Sequence, residues 1–341
     1  AMPKAFVAGE YTEEQLNGID TLLGWQKDEV NGIGMVDKNY GSGYTYATVT
    51  VDNSGTGGSG LEIEKVLLAG DDVQGHGSFI AGIIGANKDQ TNKDEESASI
   101  QGLAYDTEII TVKAGNNHHG GINTQIAFKY VVENNISIVN MSYGFFLPYN
   151  THQVAELNQA IEQGMALIIG AGNMGWATLP NTEGKIDDGW TAFFPASQPF
   201  LNPELIDETK AGAFVVVGAV NENKEIADFG NGNGSDRAGV NKNYYLVAQG
   251  TGLKSVGPNV GESATDGYVS GQGTSYATPF VSGAFALMKS KYPQFTMRQI
   301  ADIYFESAED LGEPGIDDVY GRGLIDIKAA FELAEERAAE L

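Results

Sequence analysis

Two rhythms of hydrophobic and polar positions alternate along this chain. Short runs dominated by apolar residues occur at Glu108–Val112, Ile136–Met141, Ala166–Ala171, Phe214–Ala219 and Tyr244–Ala248, and these read as strands. Between them, apolar residues recur every three or four positions, the period of a helix with one buried face. One such stretch, His76 to Ala86, puts Phe79, Ile80, Ile83 and Ile84 on one side. Another, Thr124 to Asn134, turns Ala127, Tyr130 and Val131 inward, and Val154, Leu157 and Ile161 mark a third. The fourth carries Ala277, Phe280, Val281, Ala284, Leu287 and Met288, and Pro279 is expected in its first turn, where a missing N–H costs little. Thr296-Met297-Arg298-Gln299 has the form of a capping box that opens a further helix.

Near the start, Thr48–Val51 is a β-branched run that leads into the polar turn Asp52-Asn53-Ser54-Gly55. Strands that alternate with helices, several of them almost wholly apolar, predict a parallel sheet buried on both faces. The expected fold class is therefore α/β, three layers with a mainly parallel central sheet flanked by helices. In such sheets chemistry gathers at the carboxyl ends of the strands. Asp52, Ser142 with Tyr143, and Asn173 all follow strands directly.

Composition narrows the classes. The chain has 341 residues, 42% hydrophobic, enough for one large domain or two modest ones. With 45 acidic against 20 basic residues the net charge is -25, which repels nucleic acid and anionic membrane. No apolar run approaches the ~18 residues that span a bilayer, so membrane insertion by this segment is not expected. No signal peptide opens the chain, and any targeting segment is expected to have been removed. Cysteine is absent, which excludes disulfides, thiolate zinc sites and a cysteine nucleophile together. The four histidines, His76, His118, His119 and His152, make the search for a general base short.

Two long segments interrupt the rhythm, Asn87–Ser99 and Trp176–Lys210. The first is rich in carboxylates and amides. A solvated loop is expected there, with a structural Ca²⁺ held by oxygen ligands as the alternative, because no EF-hand spacing is present. The last residues, Glu332 to Leu341, read as a charged helix outside the core.

The candidate chemistry starts at Gly271-Gln272-Gly273-Thr274-Ser275-Tyr276-Ala277-Thr278-Pro279, a glycine turn running into the fourth helix. Ser275 then sits at a helix start, where free N–H groups and the positive end of the dipole favour a developing oxyanion. A neutral serine needs a base, a carboxylate to hold that base, and donors for the oxyanion. His76 lies between Gly75 and Gly77 at the start of a helix, Asp52 ends a strand, and Asn173 follows a strand inside a glycine turn. Asp37, Asp71 and Asp72 are alternatives for the carboxylate. All four histidines precede Ser275, which excludes the Ser, acid, His order of α/β-hydrolases. The order Asp52, His76, Ser275 is that of subtilisin.

From about Gly43 to Ala330 the chain resembles the subtilisin-like serine proteases, the subtilase family. Gly273 to Gly283 fits the family's serine motif in full. His76-Gly77-Ser78-Phe79-Ile80-Ala81-Gly82 fits its histidine motif except that Phe79 stands where a second histidine is usual. Ala171-Gly172-Asn173-Met174-Gly175 fits the oxyanion motif, and Asp52-Asn53-Ser54-Gly55 departs from the usual Asp-Thr/Ser-Gly.

The resemblance implies a subtilisin-like fold and a serine endopeptidase. Ser275 is then the nucleophile, His76 the base, Asp52 its carboxylate and Asn173 the oxyanion donor, with no cofactor or metal needed for chemistry. It implies that protein or peptide substrates lie as extended strands along Ser142, Tyr143 and Gly144 on one side, and Gly115 and Asn116 on the other, with Gly172 also contacting substrate. His118 and His119 are expected to be exposed loop residues. The implied organisation is an N-terminal extension (1–42), a catalytic domain (43–330) and a C-terminal helical tail (331–341). Lys291-Tyr292-Pro293 with Tyr320–Asp326 resembles the end of protease passenger domains in bacterial autotransporters. That implies a secreted or cell-surface location and a β-barrel translocator missing from this sequence. The segment before Asp52 is short for a folding prodomain, so a prodomain-free form is expected. Two other classes share these motifs: an inactive peptide-binding or adhesive surface domain, and an esterase or transacylase.

Overall fold

A computed structural model describes residues 75–87, 100–112, 124–143, 151–175, 202–257 and 268–340. The expected strand at Thr48–Val51 lies outside them, as do all but Asn87 of the acidic Asn87–Ser99 segment. The chain divides into two units, 1–71 with 110–130, and 72–109 with 131–341. Within the first, the described residues are 110–112 and the opening of helix α2 (Thr124–Glu133). The elements below belong to the second unit.

Helix α1 is His76–Gly85. Beyond it a four-stranded parallel sheet forms from β1 (Ile138–Met141), β2 (Ala166–Gly170), β3 (Ala213–Val220) and β6 (Tyr245–Gln249), side by side in that order. Ile138 pairs with Ala166, Ala166 with Ala213, and Val216 with Tyr245. Every residue of β2 and β3 is buried. This explains their continuous apolar character, since a strand covered on both faces has no position to give to water. Burial of each large side chain here contributes roughly 1.5–3 kcal/mol.

Three helices supply the cover. Helix α4 (Thr274–Lys291) packs against all four strands of this sheet, α3 (Thr151–Glu162) against β2, and α5 (Met297–Ser307) against β3. Leu157 and Ile161, two of the three positions that marked α3, are fully buried. The expected capping box opens α5: the Thr296 N–H donates to Gln299 Oε1 at 2.8 Å, and Gln299 N–H donates to Thr296 Oγ1 at 3.1 Å.

Elsewhere the structure departs from the sequence-based expectations. Glu108–Val112 forms no strand among the described residues. Pro279 is not in the first turn of α4, because that helix already begins at Thr274. It occupies the second turn, and its missing N–H is the one that would have reached the Ser275 carbonyl. The buried face of α4 includes Phe285, while Leu287 is only half-buried. The charged C-terminal helix, α6, begins at Ile327 and runs to Ala338, with the Asp326 carboxylate accepting from Ala329 N–H at 2.9 Å. Ala330 and Ala334 are fully buried, so α6 belongs to the packed unit.

Two small antiparallel ribbons and two 3₁₀ turns (Pro203–Ile206 and Gly239–Tyr244) complete the described elements. β4 (Asp228–Gly230) pairs with β5 (Asn233–Gly234), and β7 (Leu253–Val256) with β8 (Tyr268–Gly271). The second ribbon matters for function. β7 packs on α1, and β8 leads through two residues into α4.

Candidate active site

The site is built where β8 gives way to α4. Gly273 has φ 144° and ψ 163°, a conformation almost confined to glycine. It turns the chain so that Thr274 and Ser275 become the first two residues of the helix. The Tyr276 and Ala277 N–H groups bend back to the Gly273 carbonyl at 3.0 and 3.3 Å. Ser275 is half-buried, and its own N–H has no carbonyl one turn behind it within the helix.

Asn173 is held beside this turn. Its Oδ1 accepts from both the Thr274 N–H and the Thr274 hydroxyl, each at 2.9 Å. With the amide oxygen committed to Thr274, the NH₂ group is the part of the side chain left to donate elsewhere. The backbone around Asn173 is pinned as well. Gly172 N–H donates to Thr274 Oγ1 at 3.2 Å, and Met174 N–H donates to Asp236 Oδ1 at 2.9 Å. Asp236 N–H donates to the Gly172 carbonyl at 2.9 Å, and Gly234 N–H to the Asn173 carbonyl at 3.1 Å. Gly172 is buried with both backbone groups engaged inside the protein.

His76 opens α1 behind Gly75. It is half-buried, and its ring lies 5.4 Å from that of Tyr276, the residue after Ser275. The β7–β8 ribbon fixes α1 against α4. Ser255 on β7 donates its hydroxyl to the Phe79 carbonyl at 2.8 Å. A Cβ on Gly82 would lie 2.2 Å from that hydroxyl oxygen, so glycine is what lets α1 approach the ribbon. Asn173 thus meets the residue before Ser275, and His76 the residue after it, at the opening of α4.

Ser142 and Tyr143 follow β1, as expected. Ser142 is buried, and its oxygen accepts from Asn140 Nδ2 at 2.9 Å. Asn140 Oδ1 in turn accepts from the Ser282 hydroxyl on α4, also at 2.9 Å. This chain of polar groups ties the end of β1 to the helix that carries Ser275. Asp52, with its alternatives Asp37, Asp71 and Asp72, lies outside the described residues. The same holds for Gly115, Asn116, Gly144, His118 and His119. Among the described residues no group of three or more His, Asp or Glu is placed to hold a metal ion.

Sequence reasoning missed three contributors. Thr274 was legible as part of the serine motif, but nothing in the sequence pairs it with Asn173. Asp236 carries no local signal at all. Tyr276 occupies a variable position of the motif, and its contact with His76 appears only in three dimensions.

Residues 65–323 match the profile described as Peptidase_S8, the subtilase family. That is well over half of the chain, and the chain belongs to this family. Subtilisin DY of Bacillus licheniformis is 27% identical over 309 residues, covering 87% of this chain and 95% of that protein. Minor extracellular protease Epr of Bacillus subtilis is 30% identical over 271 residues, covering 79% of this chain but 35% of its own length. Serotype-specific antigen 1 of Mannheimia haemolytica is 28% identical over 59% of this chain and 21% of that protein. Among solved structures, prenylagaramide maturation protease PagA aligns with a TM-score of 0.56 at 22% identity, over 77% of this chain and 83% of that one. MycP1 with its N-terminal propeptide removed gives a TM-score of 0.56 at 24% identity, over 76% of this chain and 80% of that one. The fold is the subtilisin-like one, α/β with a parallel central sheet and flanking helices.

Proposed function

We propose that this chain is a serine endopeptidase that cleaves peptide bonds through an acyl-enzyme. Ser275 Oγ attacks the carbonyl carbon of the scissile bond while its proton passes to His76. The resulting oxyanion is met by the Asn173 NH₂ group and the Ser275 N–H. As the tetrahedral intermediate collapses, the C–N bond breaks and His76 returns the proton to the leaving amine. Water then enters, gives a proton to His76, and attacks the acyl-enzyme; Ser275 leaves with that proton. Asp52 is assigned to orient His76 and balance its charge, with Asp37, Asp71 and Asp72 as the alternatives. No metal takes part in this chemistry, because a serine with an imidazole base needs none.

One observation carries the reading: Asn173 bonds to Thr274 and His76 packs on Tyr276, the two residues on either side of Ser275. Membership of the subtilase family supports it. Substrate is assigned to lie along Ser142, Tyr143 and Gly144, opposite Gly115 and Asn116, with Gly172 serving to shape the Asn173 turn. The acidic Asn87–Ser99 segment is assigned as a solvated loop, with a structural Ca²⁺ held by its oxygen ligands as the alternative. A secreted or cell-surface location is supported by the extracellular and antigen relatives, and a passenger-domain origin is assigned on the likeness of Lys291-Tyr292-Pro293 with Tyr320–Asp326 to such domains.

The test is digestion of casein together with labelling by a fluorophosphonate probe. The expected result is cleavage and one label, both lost in Ser275→Ala. Absence of both in the parent protein overturns the reading. Comparing Asp52→Asn with Asp37→Asn, Asp71→Asn and Asp72→Asn then assigns the carboxylate.

A further inference from the structure

The aromatic group beside His76 has no task in the scheme above. Tyr276 meets the imidazole at 5.4 Å between centroids, with the planes inclined by 54°. It meets Phe79 more closely, at 4.4 Å and 52°. Phe79 is itself fixed. It is buried in a cluster with Ile83 and Leu253, against which Val269, Tyr276 and Phe280 pack. The Ser255 hydroxyl bonded to its carbonyl holds its backbone. Gly271, four residues before Ser275, makes room for the pair. A Cβ there would lie 3.0 Å from Tyr276 Cε2 and 3.2 Å from Phe79 Cε2. Phe79 is also the position at which this chain departs from the family's histidine motif, so the apolar backing and the departure coincide.

We propose that Tyr276, backed by Phe79, is a positioning residue for His76, its ring holding the imidazole in the orientation that accepts the Ser275 proton. The proposal rests on the endopeptidase reading. A histidine side chain has two rotatable bonds, and a half-buried one has several staggered wells open to it. A rigid ring on one side removes wells that point away from the nucleophile. The tilted contact also favours the cationic imidazolium that forms during attack, because the electron-rich face of an aromatic ring attracts positive charge. Both effects act on the proton-transfer step and leave substrate binding alone. Aromatic contacts of this kind correspond to roughly a two- to tenfold effect on a rate.

The test measures kcat and KM on an unstructured peptide for the parent, Tyr276→Leu, Tyr276→Phe and Phe79→Leu, with thermal unfolding of each. Tyr276→Leu is expected to lower kcat by about tenfold with KM within about twofold of the parent, and Tyr276→Phe to restore most of the loss. Phe79→Leu is expected to lower kcat by a smaller factor in the same direction. In ¹H–¹³C spectra, the His76 ring resonance should shift on loss of the Tyr276 ring and return in Tyr276→Phe. A folded Tyr276→Leu with the parent's kcat overturns the proposal. So does a Tyr276→Phe as impaired as Tyr276→Leu, or a loss confined to KM. If Tyr276→Leu fails to fold, Tyr276→Met takes its place under the same criteria. An inactive parent sinks the endopeptidase reading and this inference with it, whereas an active parent matched by Tyr276→Leu sinks the positioning role alone.

Discussion

Thr274 grips the side-chain oxygen of Asn173 twice, through its N–H and through its hydroxyl, each at 2.9 Å. The hydroxyl also accepts from Gly172 N–H at 3.2 Å. One threonine therefore decides which end of the Asn173 amide is left free to donate. Thr274→Val keeps the shape and removes these side-chain bonds, and is expected to lower kcat by roughly two- to tenfold with KM little changed. Thr274→Ser, which keeps a hydroxyl, is expected to stay near the parent. Steady-state kinetics on a peptide substrate checks both.

Asn173 itself is expected to matter more. Removing the corresponding kind of donor in subtilisin costs roughly 10²–10³ in turnover, and Asn173→Ala should fall in that range. Asn173→Asp preserves acceptors for Thr274 but replaces the donor with negative charge, so its kcat should be lower still. Burst kinetics with an ester substrate separates this loss, which acts on acylation, from any change in binding.

Gly273 has φ 144° and ψ 163°. Gly273→Ala forces a Cβ into that conformation, at a cost of about 1–3 kcal/mol. The expected outcome is a lower denaturation midpoint together with loss of fluorophosphonate labelling, because the strain falls on the turn that presents Ser275. Normal stability with normal labelling would show that the turn accepts a side chain.

Alkaline stability follows from buried phenols, of which Tyr245 and Tyr304 are the deepest. Burial pushes the Tyr245 and Tyr304 hydroxyls well above the ordinary tyrosine range. In the unfolded chain both titrate near ~10. Above that pH the unfolded state has released protons that the native state retains, so stability falls as pH rises. Below it the contribution is complete. Thermal scans should give a melting temperature that declines above about pH 10, with a shallower decline in Tyr304→Phe. The Tyr304 hydroxyl donates to the Ala284 carbonyl at 2.7 Å, so that variant should also lose about 1 kcal/mol at neutral pH.

The polar chain under β1 offers a separate check. Asn140→Ala removes the acceptor of Ser282 and the donor to Ser142 in one step. A loss of about 1–3 kcal/mol in chemical denaturation is expected.

What could be read from the sequence depended on how local each cause was. β2 and β3 were legible because a strand covered on both faces must be apolar throughout. The α5 cap was legible because its two partners, Thr296 and Gln299, lie three positions apart. Asn173 and Thr274 lie 101 positions apart, and Ser255 and Phe79 176 apart, so no window along the chain contains both members of either pair. The α6 helix was placed too late because its buried positions include Ala330 and Ala334, whose small side chains barely register among the surrounding charges. Pro279 was placed by the habits of isolated helices. Here Thr278 Oγ1 donates to the Thr274 carbonyl at 2.7 Å within the same opening turns, and α4 packs against all four described strands of the sheet. Tertiary cover tolerates a break that an exposed helix would not.

The fit between Gly82 and Ser255 works as a keyed joint. With 2.2 Å between a notional methyl and the serine oxygen, even alanine is too large a key. A redesign that exchanges the β7–β8 ribbon for a foreign one must therefore keep a small residue facing Gly82, and a serine there also keeps the bond to the Phe79 carbonyl. The contact between Gly82 and Ser255 thus has to be inherited as a unit.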